Sequence, residues 1–299
     1  MANTFNDMIN EVKSKLAGYT LKQDRITYLK SGIDNAVTAI PLGSGDNLAK
    51  GICEIDDELI YVDSFDSTTN TLNVIPGLGR GFQGTTAASH NINSLVVMTP
   101  NFPRQLVAKA INDTIQSVFP KLFALKHSTL TFSGSVTAYA LPTDLQNVVA
   151  VSWQVTGPSK QWLPVKRYRL NQMSNFSTWA TNNTINIYDG IQTGRTIDVA
   201  YTALPTAFGT NADDFVTVTG LPIFVWDVIV LGACSRLLAF IDAGRINMTS
   251  AESDLADSKV PTSAGQTLGK FVYALFQQRL NEEASRLQST YPFSPHYIN

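Results

Sequence analysis

A chain of 299 residues with 44% hydrophobic side chains can bury one large core or several smaller ones, which argues against disorder. Its 22 basic and 24 acidic side chains leave a net charge of −2, so there is no broad cationic surface for gripping phosphates, which argues against sequence-specific DNA binding. Cys53 and Cys234 stand far apart in unlike contexts and read as buried thiols in a reducing compartment, not as a disulfide framework.

The first residues lack the basic start and apolar core of a secretory signal, so no export is expected. Thr4 with Asp7 three residues on gives a capping-box pattern. Phe5, Met8, Ile9, Val12 and Leu16 fall on one face, which predicts a helix ending at Gly18. From Asp24 to Met98 the pattern changes to short β-like runs, Ile52–Ile55, Leu59–Val62, Leu72–Ile75 and Leu95–Met98, with turn residues between them. Pro103 suits the first turn of a second helix with a face of Val107, Ile111, Ile115 and Val118, stopped by Pro120.

Alternation then returns at Leu130 and Phe132, Val136–Leu141, Val148–Val155, Trp162–Val165, Ile185–Tyr188 and Ile197–Tyr201. Leu221–Ile241 is the most hydrophobic run, but Asp227, Gly232 and Arg236 interrupt it, which favours a buried core helix and no membrane span. A long amphipathic helix follows from about Gly265 to Ser289, with Leu268, Val272, Phe276, Leu280, Ala284 and Leu287 on one face and Tyr291-Pro292 as its stop. Together these elements predict an α+β fold, with a helical core of about four helices (N-terminal, 103–119, 221–245 and 265–290) carrying two antiparallel β insertions. The expected domains are a helical core of 1–18, 101–125 and 221–290, a β-barrel or sandwich of 19–100, a second β domain of 126–220, and a C-terminal extension of 291–299.

Gly79-x-Gly81-x-x-Gly84 formally fits a dinucleotide-binding fingerprint. Pro76-Gly77 precedes it and no helix pattern follows, so it reads as a glycine-rich β-loop whose Arg80, Phe82 and Gln83 are exposed or meet a neighbouring subunit. Glu54, Asp56, Asp57 and Glu58 could hold a hard cation such as calcium, but the spacing lacks an EF-hand's glycine and alternation, and a solvated hairpin turn is the favoured reading. His90, His127 and His296 are scattered with no partner at a metal-ligand spacing, so no metal and no cofactor are expected. There is no Gly-x-Ser-x-Gly elbow, and no catalytic residue is assigned. Trp162 and Trp179 are candidates for carbohydrate stacking. The aromatic tail after Tyr291 needs a surface to lie on, which another chain could provide.

Two segments carry a resemblance. Gly51-Ile52-Cys53-Glu54-Ile55-Asp56-Asp57-Glu58-Leu59-Ile60-Tyr61-Val62, followed by Gly79-Arg80-Gly81-Phe82-Gln83-Gly84-Thr85-Thr86-Ala87-Ala88-Ser89-His90, looks like a β-module recurrent in phage structural proteins. With the 103–119 helix, Leu141-Pro142-Thr143-Asp144 and the two C-terminal helices, the chain resembles virion neck proteins of tailed bacteriophages, in particular head-to-tail adaptor (connector) proteins. That resemblance implies a non-enzymatic structural protein of the virion neck, assembled in the host cytoplasm. It implies a ring of about twelve copies around the DNA channel with head-to-tail contacts between neighbours. The implied partners are sister copies, the portal protein, tail, tail-terminator or nozzle proteins, and genomic DNA passing through the lumen without sequence-specific contacts. It also implies a C-terminal segment reaching toward the portal, which places Tyr291, Pro292, Phe293, His296, Tyr297 and Ile298 at that interface. The alternative is another neck, tail or baseplate protein with a carbohydrate- or host-binding β-domain.

Overall fold

The computed structural model describes residues 3–18, 24–45, 48–136, 138–155, 161–172, 174, 178–239 and 264–292. The chain divides into two compact units: residues 6–111 with 233–269, and residues 1–5, 112–232 and 270–299.

The first unit is organised by a six-stranded antiparallel sheet. Its strands are β1 (Arg25–Tyr28), β2 (Ala39–Pro41), β3 (Gly51–Ile55), β4 (Glu58–Asp66), β5 (Thr71–Val74) and β6 (Leu95–Met98), in the order β1-β6-β3-β4-β5-β2. The sheet curls until Leu29, just past β1, bridges Leu42, just past β2, with the Gly43 amide donating to Tyr28 O at 2.9 Å. Curling turns one side chain in two inward, so Leu29, Ile40, Leu42, Cys53, Ile55, Ile60, Val62, Leu72, Val74, Val96 and Met98 form a buried apolar core. The helix α1 (Phe5–Ala17) buries Met8, Ile9, Val12 and Leu16 at helical spacing, as its sequence pattern predicts.

The second unit holds two further antiparallel sheets. One has the order β10-β9-β13-β7, from β7 (Ala124–Thr131), β9 (Leu145–Gln154), β10 (Trp162–Pro164) and β13 (Thr196–Ala203). The other has the order β11-β12-β8, from β8 (Ala138–Ala140), β11 (Tyr168–Asn171) and β12 (Thr184–Ile187). Their inner faces share one core that includes Leu141, Val151, Ile185, Ile197, Val199 and Tyr201.

The helix α2 (Arg104–Ser117) follows β6, and the short α3 (Phe215–Thr219) follows β13. The Asp214 carboxylate caps α3 by accepting the Thr217 amide at 3.0 Å, and Gly220 ends it in the left-handed region at φ 71°. A 3-10 turn, Ile223–Val225, leads into α4 (Trp226–Leu238), and α5 (Ala264–Thr290) is the last element. Gly232 of α4 lies against Thr114 and Phe276, where a Cβ would come within 2.4 Å of the threonine methyl carbon. Arg279 of α5 ties back to Asp227 of α4 at 3.0 Å. Among the described residues no helix is long and apolar enough to cross a membrane.

The expectation of an α+β fold with a helical core of about four helices (N-terminal, 103–119, 221–245, 265–290) and two β insertions is overturned. The protein is β-rich, with thirteen strands in three sheets and, among the described residues, five α-helices. The physical reason is that the sheets make their own cores, and the helices are distributed between the two units: α1 belongs almost wholly to the first and α5, from Lys270, to the second. The 221–245 helix also begins later than expected, at Trp226, because Pro222 is extended at ψ 151°. Its expected end falls outside the described residues.

Cys53 and Cys234 are both buried, and burial pushes their thiols up to about 12 and about 11 respectively. A thiol reagent at neutral pH is therefore expected to modify neither cysteine in the native protein while a denatured control reacts at both. Mass spectrometry showing rapid native labelling of either would contradict the burial.

Candidate functional site

The densest chemistry sits on the hairpin joining β3 to β4, where Ile55 pairs with Glu58 across the two-residue turn Asp56-Asp57. Asp56 adopts φ 52°, a left-handed conformation that a tight hairpin turn demands and that aspartate tolerates better than bulkier residues. This turn places four carboxylates within five positions, and each meets a lysine, arginine or histidine side chain of the same unit.

Glu54 is buried and accepts the Lys13 ammonium at 2.7 Å and the Arg104 backbone amide at 2.5 Å. The second bond places a negative charge on the first turn of α2, where unpaired amides and the helix dipole favour it. Asp57 accepts Arg104 Nε at 3.0 Å, and the rest of that guanidinium reaches Asn10 Oδ1 at 3.2 Å and Asn6 Oδ1 at 2.8 Å on α1. The hairpin is thereby stapled to both helices.

Glu58, 1% exposed, is the hub of the other half. Its two oxygens take Arg80 Nε at 2.8 Å and Nη2 at 2.9 Å, a paired fork, together with the amides of Gly81 at 2.9 Å and Ala88 at 3.0 Å. His90 Nε2 stands 2.9 Å from the same carboxylate, and its Nδ1 stands 2.7 Å from Asp56 Oδ2. Burial would raise the Glu58 pKa, but the bonds from Arg80, His90, Ala88 and Gly81 outweigh it and bring it down to about 2. Arg80 also donates to the carbonyls of Asp34 at 2.8 Å, Val37 at 2.9 Å and Ala88 at 2.7 Å. One guanidinium thus joins the 34–37 turn, the hairpin and the end of the glycine-rich loop. An open cleft of about 380 Å³ lies beside this network, lined in part by Asp56, Asp57, Thr85, Thr86, Ser89 and Gln105.

The glycines of that loop answer to packing, not to a nucleotide. A Cβ on Gly79 would stand 2.8 Å from Tyr61 O, and Gly81 sits at φ 62° with Thr85 O 2.8 Å from where its Cβ would be. The run ends in a 3-10 turn, Phe82–Gly84, and no helix N-terminus opens behind it.

The structure relocates several expected site residues. Arg80, read as an exposed or inter-subunit position, spends its side chain inside the unit and is 7% exposed. Phe82 is half-buried with its ring 5.4 Å from Tyr61, and Gln83 is exposed at φ 54°. Tyr291 is half-buried, its amide donating to Leu287 O at 3.0 Å, and Pro292 is exposed. Phe293, His296, Tyr297 and Ile298 lie outside the described residues. Trp162 is exposed on β10 and Trp179 half-buried.

The hairpin expected to be solvated is instead built around two buried carboxylates, and its calcium-like acids already face Lys13, Arg80, His90 and Arg104. Among the described residues no group of three or more His, Cys, Asp and Glu side chains is arranged to hold a metal. His127 pairs with Asp198 at 2.8 Å on the open face of the second unit's larger sheet. Ser152 pairs in register with that aspartate, so the aspartate stands between serine and histidine, the wrong order for activating a nucleophile. Sequence reading missed His90 as a partner of the acids. Its signal was the presence of Arg80 and His90 as the two groups able to carry positive charge in an otherwise neutral 75–90 stretch.

The model of the SU10 adaptor protein family matches residues 85–295, more than half of the chain. The chain belongs to the SU10 adaptor protein family. It is a phage structural adaptor and a virion component. No curated protein matches it. The matched region begins at Thr85 within the glycine-rich loop, so it takes in His90 and Arg104 of the adaptor's hub while the four carboxylates precede it.

Proposed function

We infer that this adaptor is a ring component of the virion neck that joins the portal to the tail around the DNA channel. The family match across residues 85–295 carries the reading. The hub agrees with it, since its four carboxylates are taken up by Lys13, Arg80, His90 and Arg104 of the same unit. The ring holds about twelve copies with head-to-tail contacts between neighbours. Its subunits carry a net charge of only −2, which suits a wall past which DNA slides, because strong cationic contacts would hold the polyanion. Residues 291–299 reach toward the portal.

Mixing the purified chain with portal assemblies, followed by native mass measurement and negative-stain imaging, tests this. The full chain is expected to join the portal in a ring even if it is monomeric alone, and a chain ending at residue 290 is expected to bind the portal at least tenfold more weakly. A full-length chain that stays free of portal and tail complexes at all concentrations would refute the reading.

A further inference from the structure

We propose that His90 is the latch of a pH-sensitive clasp: as imidazolium it pins the 81–90 loop to the β3–β4 hairpin, and on losing a proton it lets go of Asp56 and loosens that loop. The geometry requires two protons on the ring. Both neighbours are carboxylates, which accept hydrogen bonds and donate none when ionised, so each ring nitrogen must carry hydrogen to satisfy both at 2.7 and 2.9 Å. The ring is also fixed in place, because His90 is 4% exposed and its backbone exchanges both hydrogen bonds with Ile33 at 2.9 Å.

The two halves of the clasp are unequal. Glu58 has Arg80, Gly81 and Ala88 as donors besides the histidine, whereas the Asp56 side chain is 56% exposed and has water as an alternative partner. A neutral ring keeps one N–H, gives it to Glu58, and turns a lone pair toward Asp56. The Asp56 side then opens, at the wall of the 380 Å³ cleft that Asp56, Ser89 and His90 line together.

The charged groups facing the ring are Asp56 and Glu58 from the hairpin and Arg80 from the loop, with Asp57 and its partner Arg104 beyond Asp56. Of the side chains gathered here, the histidine is the one whose ordinary range of titration lies near neutrality. The Glu58 hydrogen bond raises its pKa above 6.5 against the opposing effect of burial, and Asp56 raises it further. A folded value above the unfolded one means that the clasp's stabilisation is complete below the unfolded value and is lost as pH rises through the folded value.

Two measurements on the full chain test this. By NMR, the His90 ring is expected to titrate with a midpoint above 6.5, and Asp56→Asn to move that midpoint down. By hydrogen exchange corrected for intrinsic rates, protection of the Gly81 and Ala88 amides is expected to be constant below the ordinary histidine value of 6.5. Above it, protection falls by up to about tenfold per pH unit and levels off past the folded midpoint. In His90→Gln the same amides are expected to be less protected at pH 6 and flat with pH. A midpoint at or below the ordinary value, a flat wild-type profile, or an unchanged slope in His90→Gln would each overturn the proposal. If His90→Gln does not fold, the wild-type titration and Asp56→Asn decide.

Discussion

An Arg80→Ala variant is expected to lose about 3–5 kcal/mol of unfolding free energy, the range seen when one partner of a buried ion pair is removed. The truncation leaves the Glu58 carboxylate, whose side chain is 0% exposed, with His90 and two amides as its remaining donors, and it strips the carbonyls of Asp34, Val37 and Ala88 of their guanidinium bonds. Denaturant unfolding of wild type, Arg80→Ala, Glu58→Leu and the double replacement Arg80→Met with Glu58→Leu measures it. The single variants are expected to be the worst, and the double variant to recover part of the loss, because two apolar side chains of similar volume remove both charges together. A loss below about 1 kcal/mol for Arg80→Ala would mean that the pair behaves like a surface salt bridge and that the hub is misassigned.

Phe215→Ala is expected to cost about 3–5 kcal/mol through the cavity it leaves. Phe215 is fully buried at the start of α3, and it stands 6.3 Å from the Phe208 ring and edge-on to Trp226 at 5.4 Å. Phe208 in turn stacks on Phe5 at 4.4 Å, and the Phe215 amide donates to Asn3 O at 2.9 Å. The phenyl ring is thus the centre of a chain of aromatic contacts running from the N-terminal segment to α4. Unfolding followed by tryptophan fluorescence reports it, with Val216→Ala as the control. Val216 is exposed beside it, and that variant is expected to stay within about 0.5 kcal/mol of wild type. Equal effects of the two substitutions would show that the ring is not a packing centre.

Local periodicity is what made α1, α2 and α5 legible: Met8, Ile9, Val12 and Leu16, or Val272, Phe276 and Leu280, repeat at helical spacing and are buried where that spacing puts them. It failed where elements are short. β1, β2 and β11 run three or four residues with little alternation, and α3 is a Val-Thr-Val-Thr sequence whose β-branched side chains read as strand. Asp214 and Gly220 were signals for α3, one at each end.

The hub was half legible. The carboxylate cluster and the glycine-rich loop both stood out, but what they do depends on partners 22 to 50 residues away, such as Arg80 for Glu58 and Arg104 for Glu54. Spacing along a chain carries no record of such pairings. The overall architecture was misread for a related reason. Helices flanking a β segment suggest a frame with insertions, whereas the buried clusters show that each sheet assembly supplies its own interior.

The division of the chain also has a consequence for biosynthesis. The six-stranded unit takes residues 6–111 and then 233–269, and the other takes residues 1–5, 112–232 and 270–299, so each is interrupted by the other. A ribosome that has passed Gly232 has supplied the whole of neither, since residues 233–269 of the first unit and 270–299 of the second are still to come. A premature stop between 233 and 269 therefore truncates both units, whereas one after 269 truncates the second alone.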